Sequence, residues 1–395
     1  MNTSIKKRSG GAGTRRRRLR ALVYSLLTLG IGILAPDFGD VPRADTLSFK
    51  PQVDYDTGGA NTDVQISDVD RNGKPDLVAG VVDQSGGGAA SVLLGRGNGT
   101  FRRFILYPVG AQVASVAIGD VNRDGNPDVA TGNYISALSV LLGAGDGSFG
   151  SPVNYATGPG PAYLAIGDVN RDGKPDLVST SPAPMTADNS VSVLLGRQDG
   201  TFRRHVDYPT SPANLGVAIA DVNRDGSPDL VTARSILLGR GDGTFEPHTD
   251  YAPGYFADAV AVGDVNRDGK PDLVATNSLG SGSLGVLVGR GDGTFETPVD
   301  YATTGLPVRL TIGDVNRDGR PDLINTYAVV DPLHPAGGVS VMLGRKNGTF
   351  RPPVNFGAIG TGSVAVQVAD VNRDGKPDLI AATSFRVSVF LNDGQ

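Results

Sequence analysis

Asp120-Val121-Asn122-Arg123-Asp124-Gly125-Asn126-Pro127-Asp128 is a nine-residue stretch that the chain writes seven times. The copies start at Asp68, Asp120, Asp168, Asp221, Asp264, Asp314 and Asp370, and each follows Asp-x-(Asn/Asp)-x-(Asp/Asn)-Gly-x-Pro-Asp. Consecutive starts are separated by 43 to 56 residues. Self-similarity at that period marks a solenoid, a propeller or an array, so the repeat has to be settled before anything else is read.

Each loop sits between short apolar runs such as Val-Ala-Ile-Gly before it and Leu-Val-Ala-Thr after it. A variable stretch, Ser-Val-Leu-Leu-Gly-Arg, a turn Gly-Asp-Gly-Thr-Phe and Pro-Val-Asp-Tyr complete the unit. Runs of four to six Val, Ile and Leu bounded by Gly, Pro, Asn and Asp are strand signals, and no window holds a helical period. The 56 Gly and 26 Pro fit a chain of many short strands. Four strands in about 50 residues make one blade of a β-propeller. The predicted fold is therefore all-β, a seven-bladed β-propeller of four-stranded blades over 47–395.

The ends of the chain predict how the ring closes. The turn is followed by Phe101, Phe149, Phe202, Phe245, Phe295 and Phe350, but the seventh turn, Asn392-Asp393-Gly394, has none behind it. Leu47-Ser48-Phe49, ahead of Val53 to Tyr55, has no turn in front. The last blade is thus expected to be closed by the N-terminal strand, which removes the free sheet edge of an open array.

Residues 1–35 read as a signal peptide or membrane anchor. Lys6 to Arg20 is basic and Ala21 to Ala35 apolar, the pattern of a secretory signal. Fifteen residues is short for a spanning helix, yet Pro36 spoils cleavage after Ala35, so a retained anchor stays open. Residues 36–46 read as a linker. The expected location is secreted, periplasmic or cell surface, with membrane contact only through an uncleaved N-terminus. With no Cys, disulfides and thiolate metal sites are excluded. Beyond the basic first 44 residues the chain holds 27 basic and 39 acidic residues. Nucleic acid, which needs a basic surface, is not an expected partner.

Twenty-one of those 39 acids lie in the seven loops. Position 1 is Asp68, Asp120, Asp168, Asp221, Asp264, Asp314 and Asp370. Position 3 is Asp70, Asn122, Asn170, Asn223, Asn266, Asn316 and Asn372. Position 5 is Asn72, Asp124, Asp172, Asp225, Asp268, Asp318 and Asp374. Position 9 is Asp76, Asp128, Asp176, Asp229, Asp272, Asp322 and Asp378. Side-chain oxygens at alternating positions of a tight loop point inward together, and Gly at position 6 allows the sharp turn. Position 7 varies freely, which suits a backbone carbonyl ligand. Ca²⁺ takes six to eight oxygens of this kind, whereas Mg²⁺ keeps its waters and Zn²⁺ prefers His or Cys. Up to seven Ca²⁺, one per blade, are expected. An ordinary Asx turn would explain one such loop, but three clustered carboxylates in each of seven would repel one another without a cation.

The alternation of Asp-x-Asn-x-Asp-Gly-x-x-Asp with a Gly/Phe turn resembles the FG-GAP or VCBS repeat family, known from the seven-bladed propeller of integrin α chains. The resemblance covers about 47–395 and implies Ca²⁺ in the loop between the first two strands of a blade. The first loop departs from the pattern, with Asp70 at position 3 and Asn72 at position 5, at an unchanged carboxylate count.

In an up-and-down blade the first and third loops share a face, so the acidic loop and the Gly-Asp-Gly turn lie together. The opposite face carries the variable segments Gly80–Ala90, Thr180–Ser190, Asn277–Ser283 and Asn325–Gly338. Variable loops on a rigid scaffold are where binding usually sits. Tyr134, Tyr255, Phe256 and Tyr327 are candidate contacts there, or rings packed down onto their own loops. Arg240-Gly241-Asp242 and Arg290-Gly291-Asp292 spell an adhesion tripeptide but read as the repeat's own turn. His205, His248 and His334 form no motif, and no nucleophile or phosphate-loop pattern appears. The expected function is an exported, calcium-binding, monomeric binding or adhesion module, and not an enzyme, for an unknown protein or glycan on the variable face. A lectin, against which the absent Trp counts, or a polysaccharide-cleaving enzyme is the alternative.

Overall fold

The computed structural model describes residues 47–394, apart from 135–136, 159, 182–188, 213–214, 252–256, 330–335 and 358–363. The signal or anchor and the linker read over 1–46 lie outside the described residues, as do Tyr255 and Phe256. The described residues all belong to the compact unit Arg43–Gln395. They form seven four-stranded antiparallel sheets and no helix.

Blade 1 shows the pattern. Its strands are Ala60–Ser67, Asp76–Val82, Gly88–Leu93 and Ile105–Pro108, hydrogen-bonded in chain order. The first strands of successive blades pack side by side around the axis. They begin at Ala60, Val113, Tyr163, Val217, Val260, Leu306 and Ala365. The second and third strands are buried almost throughout, while the fourth is on the rim and half exposed.

The ring closes as the chain ends predict. Val53–Asp56 pairs antiparallel with Arg386–Phe390 and becomes the outer strand of blade 7. Phe49 bridges Asn392, as Phe101 bridges Gly95 and Phe350 bridges Gly344 in complete blades.

Blades adhere through apolar side chains. Seven clusters of buried residues each draw on two adjacent blades, as Val121, Ala130 and Leu138 of blade 2 meet Leu177, Leu194 and Phe202 of blade 3. The core is therefore a ring of interfaces, which is why no blade could stand alone. Each interface also holds one aromatic pair. The rim Tyr of one blade meets the turn Phe of the next, edge to face at 5.2–5.3 Å in five cases. Phe356 and Phe49 make the sixth at 4.8 Å. Between blades 4 and 5, Tyr251 and Phe295 are tilted at 39° and 6.4 Å apart. There the Tyr251 hydroxyl donates to the Thr232 carbonyl of its own blade, and a cavity of about 360 Å³ opens. Blade 4 contains the shortest repeat step, 43 residues. Its third strand is only Ser235–Leu237, which leaves the rim less to pack against.

Candidate functional site

The register at the acidic loop is constant. The last residue of the first strand pairs with position 9 in every blade, as Ser67 with Asp76 and Gly119 with Asp128. Within the second loop, Asp120 accepts from the Asp124 amide at Oδ1 (3.0 Å) and the Gly125 amide at Oδ2 (2.8 Å). Asn122 Oδ1 accepts from the Asp124 amide at 3.0 Å, and Asp124 Oδ1 from the Asn126 amide at 2.7 Å. Backbone donors at positions 5, 6 and 7 thus turn the side chains at 1, 3 and 5 inward. The other loops repeat the scheme at position 1, as at Asp68 and Asp370.

The backbone supports that scheme at two positions. Gly at position 6 has φ between +78° and +86°. Arg at position 4 has φ between +56° and +65° in all seven loops, and among the described residues no other non-glycine has positive φ. This left-handed conformation costs about 1–2 kcal/mol with a Cβ present.

These arginines are exposed, and they do more than offset the charge of their own loops. Arg71 Nη1 donates to Asn126 Oδ1 of the next blade at 2.8 Å. A Cβ built on Gly145, in the next blade's turn, would stand 3.3 Å from Arg71 Cδ. The equivalent distances are 3.4 Å for Gly97 and Arg373, 3.4 Å for Gly241 and Arg171, and 3.2 Å for Gly291 and Arg224. The turn glycines leave room for the arginine stems, and each of these arginines joins its loop to the following blade.

Position 9 also carries a task that sequence reasoning missed. All seven aspartates are fully buried, at 0% exposure. Their Oδ2 accepts from the position 2 amide, as Val121 to Asp128 at 2.8 Å. Their Oδ1 accepts from the amide that follows the third strand, as Gly143 to Asp128 at 2.7 Å. Each carboxylate therefore clamps the loop to the third strand. Burial pushes the carboxyls of Asp76, Asp128, Asp176, Asp229 and Asp378 up to about 6 and that of Asp322 up to about 7.

The donor set is oxygen alone, which suits a hard cation such as Ca²⁺. The loops differ in how far their carboxylates converge. In the first loop, oxygens of Asp68, Asp70 and Asp76 all lie within 4.8 Å of one another, the one such group among the described residues. Position 3 of the other six is Asn, so their third carboxylate comes from position 5. There Oδ2 faces the Asn amide nitrogen, at 2.8–3.1 Å in four loops. It also faces Lys174 Nζ (2.7 Å) at Asp172 and the Arg320 guanidinium at Asp318.

A scan against known families matches the FG-GAP-like repeat over residues 68–131, 120–179, 183–232, 233–275, 264–324 and 328–381. The chain belongs to the FG-GAP-like repeat family. A search of curated proteins finds no match. Among solved structures, two crystal structures of BBS1N in complex with ARL6DN, soaked with mercury and with lead, resemble the chain with TM-scores of 0.57 and 0.56. Both are 10% identical and cover 87% of this chain and 96% of theirs, a likeness of fold alone.

The FG-GAP-like turns account for the two adhesion tripeptides. Arg240 and Arg290 donate to the Phe245 and Phe295 carbonyls at 3.1 and 2.8 Å. Asp242 and Asp292 each accept from the amide and hydroxyl of the following Thr. Both charged ends are used within the turn. Of the candidate contact aromatics, Tyr134 stands 56% exposed, but Tyr327 is buried beside Gly338 of its own blade and cannot be part of a contact patch.

Proposed function

We propose that this FG-GAP-like propeller is an exported, calcium-stabilised binding or adhesion module and that its partner meets the variable-loop face. The family and fold make a binding module the general expectation, and FG-GAP-like propellers are generally non-catalytic. The observation that carries the finer reading is the contrast between the two faces. Seven near-identical acidic loops and turns, held by one hydrogen-bond scheme, form a scaffold face, while sequence variation collects on the other. One fold neighbour, BBS1N, is described in complex with ARL6DN, so a propeller of this shape can serve a protein partner. Export rests on the basic and apolar N-terminus.

Calcium would be held at positions 1, 3, 5 and 9, first at Asp68, Asp70 and Asp76, where the carboxylates converge. It would neutralise the clustered charge and hold the loop against the blade. A cation that binds only the folded loop adds stability. For a weak extracellular site at tenfold excess over Kd this is about 1.4 kcal/mol, or about 2 °C per filled site for a chain of this length. Melting in EDTA and in calcium, with bound metal counted by mass spectrometry, tests the reading and counts the sites. An unchanged Tm with no calcium detected would overturn it.

A further inference from the structure

At the variable-loop end of the axis, three first strands are irregular. β-Bulges fall between Asn61 and Asp63, Val113 and Ser115, and Pro307 and Arg309, near the start of these strands in blades 1, 2 and 6. A bulge adds an unpaired residue and re-aims the side chains around it. The three extra residues, Thr62, Ala114 and Val308, line one cavity of about 180 Å³ together with Asn61, Tyr134 and Arg309. That is room for about six waters at ~30 Å³ each.

The polar groups here have spare capacity. The Arg309 guanidinium, from blade 6, lies over the Tyr163 ring of blade 3 with 4.5 Å to the centroid. Among the described residues its side chain donates one hydrogen bond, a long one of 3.4 Å to the Val308 carbonyl, and forms no ion pair within 4 Å. Stacking therefore holds the fork in place while leaving most of its donors open to a ligand. Asn61 is 4% exposed, and its Nδ2 donates to the Thr383 carbonyl at 2.8 Å. Its Oδ1 is buried with no hydrogen-bond partner among the described residues. Asp63 accepts from the Val64 and Val116 amides, Asp258 from Ser278, and both carboxylates feel the Arg309 charge. The Tyr134 ring stands exposed at the edge.

We infer that this axial mouth binds the end of a neutral, hydroxyl-rich glycan chain. The inference rests on the reading that the partner meets this face. Charge narrows the ligand class. Two carboxylates in the same field disfavour an anion on Arg309, and a cation would meet a ring already covered by a guanidinium. A neutral polyol can accept from the Arg309 fork and lay an apolar face on Tyr134, the two groups that open to the mouth.

The test is calorimetric titration of the chain with methyl glycosides of glucose, galactose, mannose and N-acetylglucosamine, their oligomers, and N-acetylneuraminic acid as an anionic probe. Tyr134→Ala, at an exposed position, and Arg309→Lys, which keeps the charge but loses the fork, are compared with Asp292→Ala on the acidic-loop face. We expect a neutral glycoside to bind, both mouth variants to weaken it at least tenfold, and Asp292→Ala to leave it unchanged. Binding insensitive to both mouth variants would overturn the site. A preference for the anionic probe, or no glycoside binding at all, would overturn the ligand class while leaving the face open to a protein partner. Loss in Asp292→Ala alone would move binding to the other face and remove the reading beneath the inference as well.

Discussion

Arginine at position 4 of the acidic loop shows how a side chain and its backbone can pull in opposite directions. The left-handed φ disfavours any residue with a Cβ, while the stem and guanidinium reach the next blade. Replacement separates the two effects. Arg71→Ala keeps the strain and loses the contact, whereas Arg71→Gly loses both, so the Gly variant should be more stable than the Ala variant by about 1 kcal/mol. Equal urea midpoints for the two would count against a strained loop. Position 9 separates clamp from ligand in the same way. Asp128→Ala strands the Val121 and Gly143 amides where no water reaches, at a cost of roughly 1–3 kcal/mol each. That loss should persist in EDTA. If it vanished in chelator, Asp128 would act only through a cation.

At the scale of elements, the rim Tyr and turn Phe tie the fourth strand of one blade to the turn of the next. A double-mutant cycle on Tyr155 and Phe202, which meet edge to face, should give a coupling of about 0.5–1.5 kcal/mol. The same cycle on Tyr251 and Phe295, tilted and farther apart, should give clearly less. Equal couplings would mean that ring geometry does not matter here. Strands were the most legible part of the chain, because apolar runs between Gly, Pro and Asp leave little choice of element. Acidic loop and turn on one face also followed from topology alone. The bulges near Thr62, Ala114 and Val308 were not legible, because a bulge depends on how two strands meet and leaves no fixed residue type behind.

Across the whole molecule, seven buried aspartates act together. Each carboxyl is held above its ordinary 3.8, in six cases to about 6 or 7. Between those values the folded chain keeps protons that the unfolded chain has released. In chelator, stability should therefore be highest at the acid end of that window and fall as pH rises through about 6 to 7. The position 5 carboxyls of Asp124, Asp172 and Asp225 are shifted downward and act below the window. Calcium requires the ionised form, so it should flatten the fall. Urea midpoints across about pH 4.5 to 7.5, with and without calcium, check the sign; a rise with pH in EDTA would contradict it.

The sequence by itself determined the all-β class, the seven blades, the closure through Phe49 and the place of the oxygen-rich loops, because each follows from a local pattern repeated at a fixed period. Only the tertiary structure decided three further matters. It laid Arg71, Arg171, Arg224 and Arg373 of position 4 against the next blade, and it made position 9 a clamp between loop and third strand. It also gathered Asn61, Tyr134, Tyr163, Asp258 and Arg309 at one end of the axis. Those five residues come from five blades and share no motif, so nothing short of the closed ring brings them together.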